Sequence, residues 1–163
     1  MVLLVFLYIV LFLNPTTSTI QYSPNDVVYG EKIHAIHSMD STANSQYSNS
    51  STARPTGIPE FRISEHFYDF GAVNSDQMLT RTFIIANKGT SPLIILRAST
   101  TYGCTTADFT AAEIPPGKVI LMTLQFDTGF HFMSGTTVRR GVIIETNDPK
   151  YPIQEIWIQA SVR

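Results

Sequence analysis

The chain is poor in the residues that carry chemistry. A single cysteine, Cys104, stands among 163 residues, which excludes an internal disulfide and any cysteine-based zinc cluster, since both need thiols in sets at fixed spacing. Charged residues make up only 15% of the chain, and the net charge is −2. From Glu60 onward nine Lys or Arg stand against ten Asp or Glu, mixed in sign. No basic stripe is left to neutralise a phosphate backbone, so nucleic acid is not an expected partner. Glycines 71, 89, 103, 117 and 129 are scattered at the ends of apolar runs. Nucleotide binding needs them gathered in a phosphate loop and has no support.

What is present falls into three regions. Residues 1–13, MVLLVFLYIVLFL, are uniformly apolar and end at Asn14 and Pro15. As a helix this run extends about 20 Å against a hydrocarbon core of roughly 30 Å. The length suits the hydrophobic part of an export signal, and residues 16–19 supply small side chains for a peptidase. Residues 1–19 are therefore expected to be a signal peptide or an uncleaved membrane anchor, giving an extracytoplasmic, membrane-anchored or secreted protein.

Residues 20–59 turn to Ser, Thr, Asn, Gln and Pro. Such a composition buries too little apolar surface to offset its ordering entropy, so a disordered linker is expected. Asn49 opens an N-glycosylation sequon. His34 and His37, three apart without a third ligand, read as an incidental pair.

Residues 60–163 read as strands throughout. QMLTRTFIIANKG, PLIILRAST, KVILMTLQFDTG, TTVRRGVIIETNDP and IQEIWIQASV are short, rich in Val, Ile, Thr and aromatics, and bounded by Gly, Pro, Asn or Asp. In the third run Ile120, Met122, Leu124 and Phe126 fall on one face while Thr123 and Gln125 fall on the other. Such alternation means one face packed and one wetted. With EFRI and HFYDFG in front, about seven strands predict an all-β, immunoglobulin-like antiparallel sandwich, with a closed barrel as the structural alternative.

The order Phe70, Gly71, Val73, then Asn87 and Gly89, then Tyr102, Gly103, Cys104 and Thr105, then Pro116 and Gly117, then Thr146, Asn147, Asp148 and Pro149 resembles bacterial Ig-like domains of unknown function related to the abnormal-spindle and Hydin type, within the wider PapD-like group. The resemblance covers residues 60–163. It implies an exported or surface-associated module without catalytic activity. That family commonly carries Cys-Gly-Cys-Thr where this chain has Tyr102, Gly103, Cys104 and Thr105, so any role needing two adjacent thiols is in doubt. Tyr102 is expected to cover the apolar end of the sandwich instead.

A catalytic thiol needs a base oriented by a third group, and the strand region offers only His66 and His131. Cys104 therefore reads as a small buried hydrophobe. Cys104, His131, Met133 and Met122 are ligand types that suit copper, at irregular spacing, with Met122 already on a packed face. No metal, cofactor or small-molecule substrate is expected. The candidate interaction loop is Phe130, His131 and Phe132, in a small-residue stretch between two strands. The expected partner is another protein or a cell-envelope component, with membrane contact through the N-terminal segment only. The alternative is a metal-handling or thiol protein using Cys104 with a nearby histidine.

Overall fold

The computed structural model describes residues 20–35, 37 and 56–163. The export or anchor segment 1–19 and the sequon at Asn49 lie outside the described residues. Among the described residues no helix is long and apolar enough to cross a membrane.

Ten strands build two five-stranded sheets. They are β1 (Ile33–Ala35), β2 (Phe61–Ile63), β3 (Phe67–Val73), β4 (Met78–Asn87), β5 (Leu93–Thr100), β6 (Thr105–Phe109), β7 (Glu113–Ile114), β8 (Val119–Asp127), β9 (Thr136–Thr146) and β10 (Ile153–Val162). One sheet runs β1-β6-β8-β4-β2 and the other β3-β10-β9-β5-β7. Each sheet keeps two edges, so the fold is a sandwich and not a closed barrel. The alternation read in β8 is the reason: Ile120, Met122, Leu124 and Phe126 are buried, and they face Val142 and Ile144 of β9 and Ile156 and Ile158 of β10 in one core. Each such side chain contributes about 1.5 to 3 kcal/mol on burial.

The expectation of about seven antiparallel strands needs three corrections. β1, β6 and β7 are additional strands. β6 escaped because its inward row is Thr105, Ala107 and Phe109, and Thr and Ala give no hydropathy signal; β7, at two residues, is too short to alternate. The second sheet is mixed, since β3 runs parallel to β10. β3 hands the chain to β4 in the opposite sheet, so no hairpin forces it antiparallel to its neighbour.

The third correction concerns the expected linker 20–59, part of which is structured. Residues 20–35 form a strap against the first sheet. A 3-10 turn at Pro24–Asp26 leads to Val28, whose N–H donates to the Val119 carbonyl (2.8 Å), and Gly30 donates to Thr110 (2.9 Å). β1 then pairs with β6, Ile33 opposite Phe109 and Ala35 opposite Ala107, and both side chains are buried. Two apolar residues in a polar stretch suffice once a distant edge receives them.

Asp26 ties the strap down. The Lys118 ammonium (2.8 Å), then the N–H and hydroxyl of Ser23, hold its carboxyl well below the usual carboxylate range. A carboxyl held low in the folded state contributes fully above its unfolded pKa, and the contribution is lost as pH falls through that range towards the folded value. Hydrogen-exchange protection at Val28 is accordingly expected to drop relative to the core amides below about pH 4, and the drop should shrink in Lys118→Ala. Protection that follows the core amides at every pH would contradict this anchoring.

Candidate functional site

The register of β8 defines the two ends of the sandwich: Val119 pairs with Ala86 at one end, and Asp127 pairs with Met78 at the other. Cys104 and the aromatic loop share the Asp127 end, where the Asp127 N–H donates to the Cys104 carbonyl (2.9 Å). Asn87, Gly89, Pro116 and Gly117 share the Val119 end, and Asn147, Asp148 and Pro149 join them there.

The loop between β8 and β9 is pinned on both flanks. On one side the buried Thr128 hydroxyl accepts from the Gln77 N–H (2.8 Å) and lies within reach of the Asn74 (3.2 Å) and Gln77 (3.0 Å) carbonyls. The Asp127 carboxylate accepts from the Gly129 N–H (2.8 Å). On the other side Met133 is buried in the core, its carbonyl accepts from the Thr136 hydroxyl (2.5 Å), and Gly135 donates to Val162 (2.8 Å). Between these pins Phe132 is fully exposed and Phe130 is 54% exposed, its ring edge-to-face with His131 at 4.7 Å. A shallow cleft of about 320 Å³ lies beside them, lined by Ser75, Asp76 and residues 128–134. Met133 thus turns inward and Phe132 outward on a loop hydrogen-bonded at both flanks. An exposed Phe leaves about 1.5 to 3 kcal/mol of burial unused.

Cys104 is buried. Arg140 Nε donates to its Sγ at 3.3 Å, and the same guanidinium stacks over the Tyr102 ring at 4.1 Å. Tyr102 is 51% exposed; it does not plug the end of the sandwich as expected, because the ring lies on Arg140 and not on the core. His37, read from the sequence only as half of an incidental pair with His34, donates through Nδ1 to the Thr100 carbonyl (3.1 Å), and its ring runs nearly parallel to Tyr102 at 6.5 Å. His34 instead faces Asp108 at 2.5 Å, so the two histidines do not share a site. Of the copper-type set, Met122 and Met133 lie in the core with Cys104, while His131 sits on the outer loop against Phe130. Among the described residues no three of His, Cys, Asp and Glu converge to hold a metal.

The remaining motif residues tie segments together. The Asn87 amide, fully buried, donates to the carbonyls of Ser91 and Ile114 (both 2.8 Å) and accepts from the N–H of Gly89 (2.9 Å) and Glu60 (3.3 Å). Gly117, in the left-handed region at φ +75°, donates to the Asn87 carbonyl. Asp148 accepts from the N–H of Phe61 (2.8 Å) and Lys150 (2.8 Å), and Asn147 accepts from Ile94 (2.8 Å) and donates to Pro92 (3.1 Å). On β3, Phe70 packs edge-to-face on Tyr68 at 4.9 Å, and Gly71 donates to Asp69 where the pairing with β10 shifts register. These side chains use their polar atoms within the domain.

The fold and the loop together define a two-sheet β-sandwich with an aromatic projection at one end. The family model described as protein of unknown function, DUF1573, matches residues 61–162, and the chain belongs to that family. A solved protein of unknown function from Porphyromonas gingivalis W83 is 26% identical with a TM-score of 0.57; the match covers 69% of this chain and 50% of that one, so the chain spans half its length. Two Vibrio cholerae proteases also align: secreted serine protease VesC (11% identity, TM-score 0.46, 64% of this chain and 23% of that one) and VesB (6%, 0.41, 64% and 31%). No curated protein matches.

Proposed function

We propose that this chain is a non-catalytic binding or structural module that works outside the cytoplasm, membrane-anchored or secreted through residues 1–19, and holds a protein or cell-envelope component through the 130–132 loop. The observation that carries the reading is Phe132, fully exposed between two pinned flanks. Large rings presented on rigid backbone make contact anchors because little ordering entropy remains to be lost on binding. The apolar run at residues 1–13 supports the location. The relationship to Ig-like domains of abnormal-spindle and Hydin type, within the PapD-like group, belongs to the same proposal, supported by the two-sheet architecture and the order of the motif residues.

The experiment compares wild type with Phe132→Ala in the native host. The variant is expected to keep its unfolding free energy to within about 0.5 kcal/mol, as an exposed substitution does, while a co-purifying envelope partner is lost; loss of an anchoring ring of this kind costs roughly 2 kcal/mol or more, about thirtyfold in affinity. An unchanged partner set would remove the loop from the proposal. A second reading, a thiol protein built on Cys104, starts from the hydrogen bond that Arg140 Nε donates to its Sγ at 3.3 Å. Rapid alkylation of Cys104 in the folded chain would support that reading; protection until unfolding would not.

A further inference from the structure

We propose that the Val119 end of the sandwich is a lipid-facing surface that seats on anionic headgroups through Lys88 and Lys150, so that the aromatic loop is presented away from the membrane. This rests on the reading of residues 1–13 as the segment that holds the chain at a membrane, and it adds a contact made by the folded domain itself.

The strap decides which end of the domain the apolar run approaches. Its first tied residues lie at the Val119 end: the Asn25 carbonyl and the Asp26 carboxylate meet the Lys118 ammonium (3.4 and 2.8 Å), and Val28 donates to the Val119 carbonyl (2.8 Å). From there the strap runs along the sheet towards the other end, since Ala35 pairs with Ala107 and Ala107 with Leu124. The eight steps from Val119 to Asp127 make about 27 Å. Residues 14–25 are all that separates Leu13 from Asp26. A surface tied this close needs only weak contacts of its own, because its attachment is intramolecular.

The side chains left over at this end suit headgroups. Arg62 pairs with Glu60 and Lys118 with Asp26, and the buried Asp148 carboxylate is taken up by the N–H groups of Phe61, Lys150 and Tyr151. Lys88 and Lys150 are exposed and have no ion pair among the described residues. Both line one cleft of about 370 Å³, whose walls also carry Ile58 and Tyr151, both exposed. The Lys150 ammonium is held over the Tyr151 ring at 5.1 Å. Ammonium groups beside a tyrosine ring and an aliphatic side chain match the charged and the apolar layers of a lipid surface. The opposite end is the competing face, because Phe130 and Phe132 are exposed there. Two carboxylates decide against it. Asp76 and Asp127 stand 2.9 and 3.3 Å from the place a Cβ would take on Gly129, within the loop, and neither has an ion pair among the described residues. An anionic surface attracts the first end and repels the second.

The test uses the full chain, reconstituted in vesicles of phosphatidylcholine with and without phosphatidylglycerol. Flotation after a high-salt wash reports the anchor, because an inserted segment withstands salt and a charge contact does not. Energy transfer to headgroup-labelled lipid then reports the orientation, from a dye on Pro116→Cys in one sample and on Phe132→Cys in another, both with Cys104→Ala; positions 116 and 132 are exposed at opposite ends. With phosphatidylglycerol present, position 116 is expected to lie nearer the lipid by about 27 Å. The difference should vanish when Lys88→Glu and Lys150→Glu are combined. Equal transfer from the two positions, or stronger transfer from position 132, in a chain that floats would overturn the proposal and leave the anchor standing. If the washed chain does not float, the anchor reading has failed, and binding to phosphatidylglycerol vesicles at low salt decides. Each lysine at an anionic surface contributes about fivefold in affinity. A loss of roughly thirtyfold in the double variant then supports the contact, and equal binding of variant and wild type refutes it.

Discussion

Asn87→Ala is expected to lower the stability of the domain by about 3 to 5 kcal/mol, an exceptional cost for one substitution. The Asn87 side chain has no exposure to water and uses both donors and its acceptor on backbone groups from three separate segments, around Glu60, around Gly89 to Ser91, and at Ile114. Alanine removes the partner but not the need, and each buried backbone group left unpaired costs about 1 to 3 kcal/mol. Asn87→Asp should fare no better, because it sets an oxygen against the Ser91 and Ile114 carbonyls. Set against a total stability of about 5 to 15 kcal/mol for a domain, either variant is close to unfolding. Denaturant midpoints at constant slope check this; a cost below about 1 kcal/mol, the worth of one ordinary hydrogen bond, would show that the three segments are held by other means.

Gly89→Ala is the second large effect and has a different cause. A Cβ at position 89 would lie 2.2 Å from the Ile58 carbonyl oxygen, 2.6 Å from the Glu60 nitrogen and 2.7 Å from the Pro59 carbonyl carbon. All three atoms are backbone, so no rotamer change relieves the clash and residues 58–60 must move. Their movement breaks the bonds from Thr90 to Ile58 and from Lys88 to Glu60, and the overpacking costs about 3 kcal/mol. Since the Gly89 N–H donates to Asn87, the double variant should cost less than the sum of the single ones. Equal thermal midpoints for wild type and Gly89→Ala would show that the 58–60 segment yields freely.

These two residues illustrate how far the sequence could be read. The places of Asn87 and Gly89 at a strand end were legible, because β4 announces itself by hydropathy and ends in turn residues. Their partners were not, since the bonds cross to segments remote in sequence; Asp148 similarly serves Phe61, 87 positions away. β8 was legible down to individual side chains because every inward position is large and apolar. β6 was not, with Thr105 and Ala107 inward, and β1 was hidden because Ile33 and Ala35 find their seats only on an edge built by residues 105–109. Within the candidate site the loop was legible from its small residues and paired rings. Which ring projects was decided by Met133 turning into the core, and the Arg140 guanidinium beside Cys104 left no trace in local sequence.

The proposal divides labour between the two ends of the sandwich: buried polar side chains hold the Val119 end together, and the exposed rings at the Asp127 end are proposed to make the contact. A photo-reactive amino acid placed at position 132, and in a second chain at position 88 on the opposite end, tests it in the native host. A discrete cross-linked partner is expected from position 132 and not from position 88. A partner captured from position 88 and not from position 132 would contradict it.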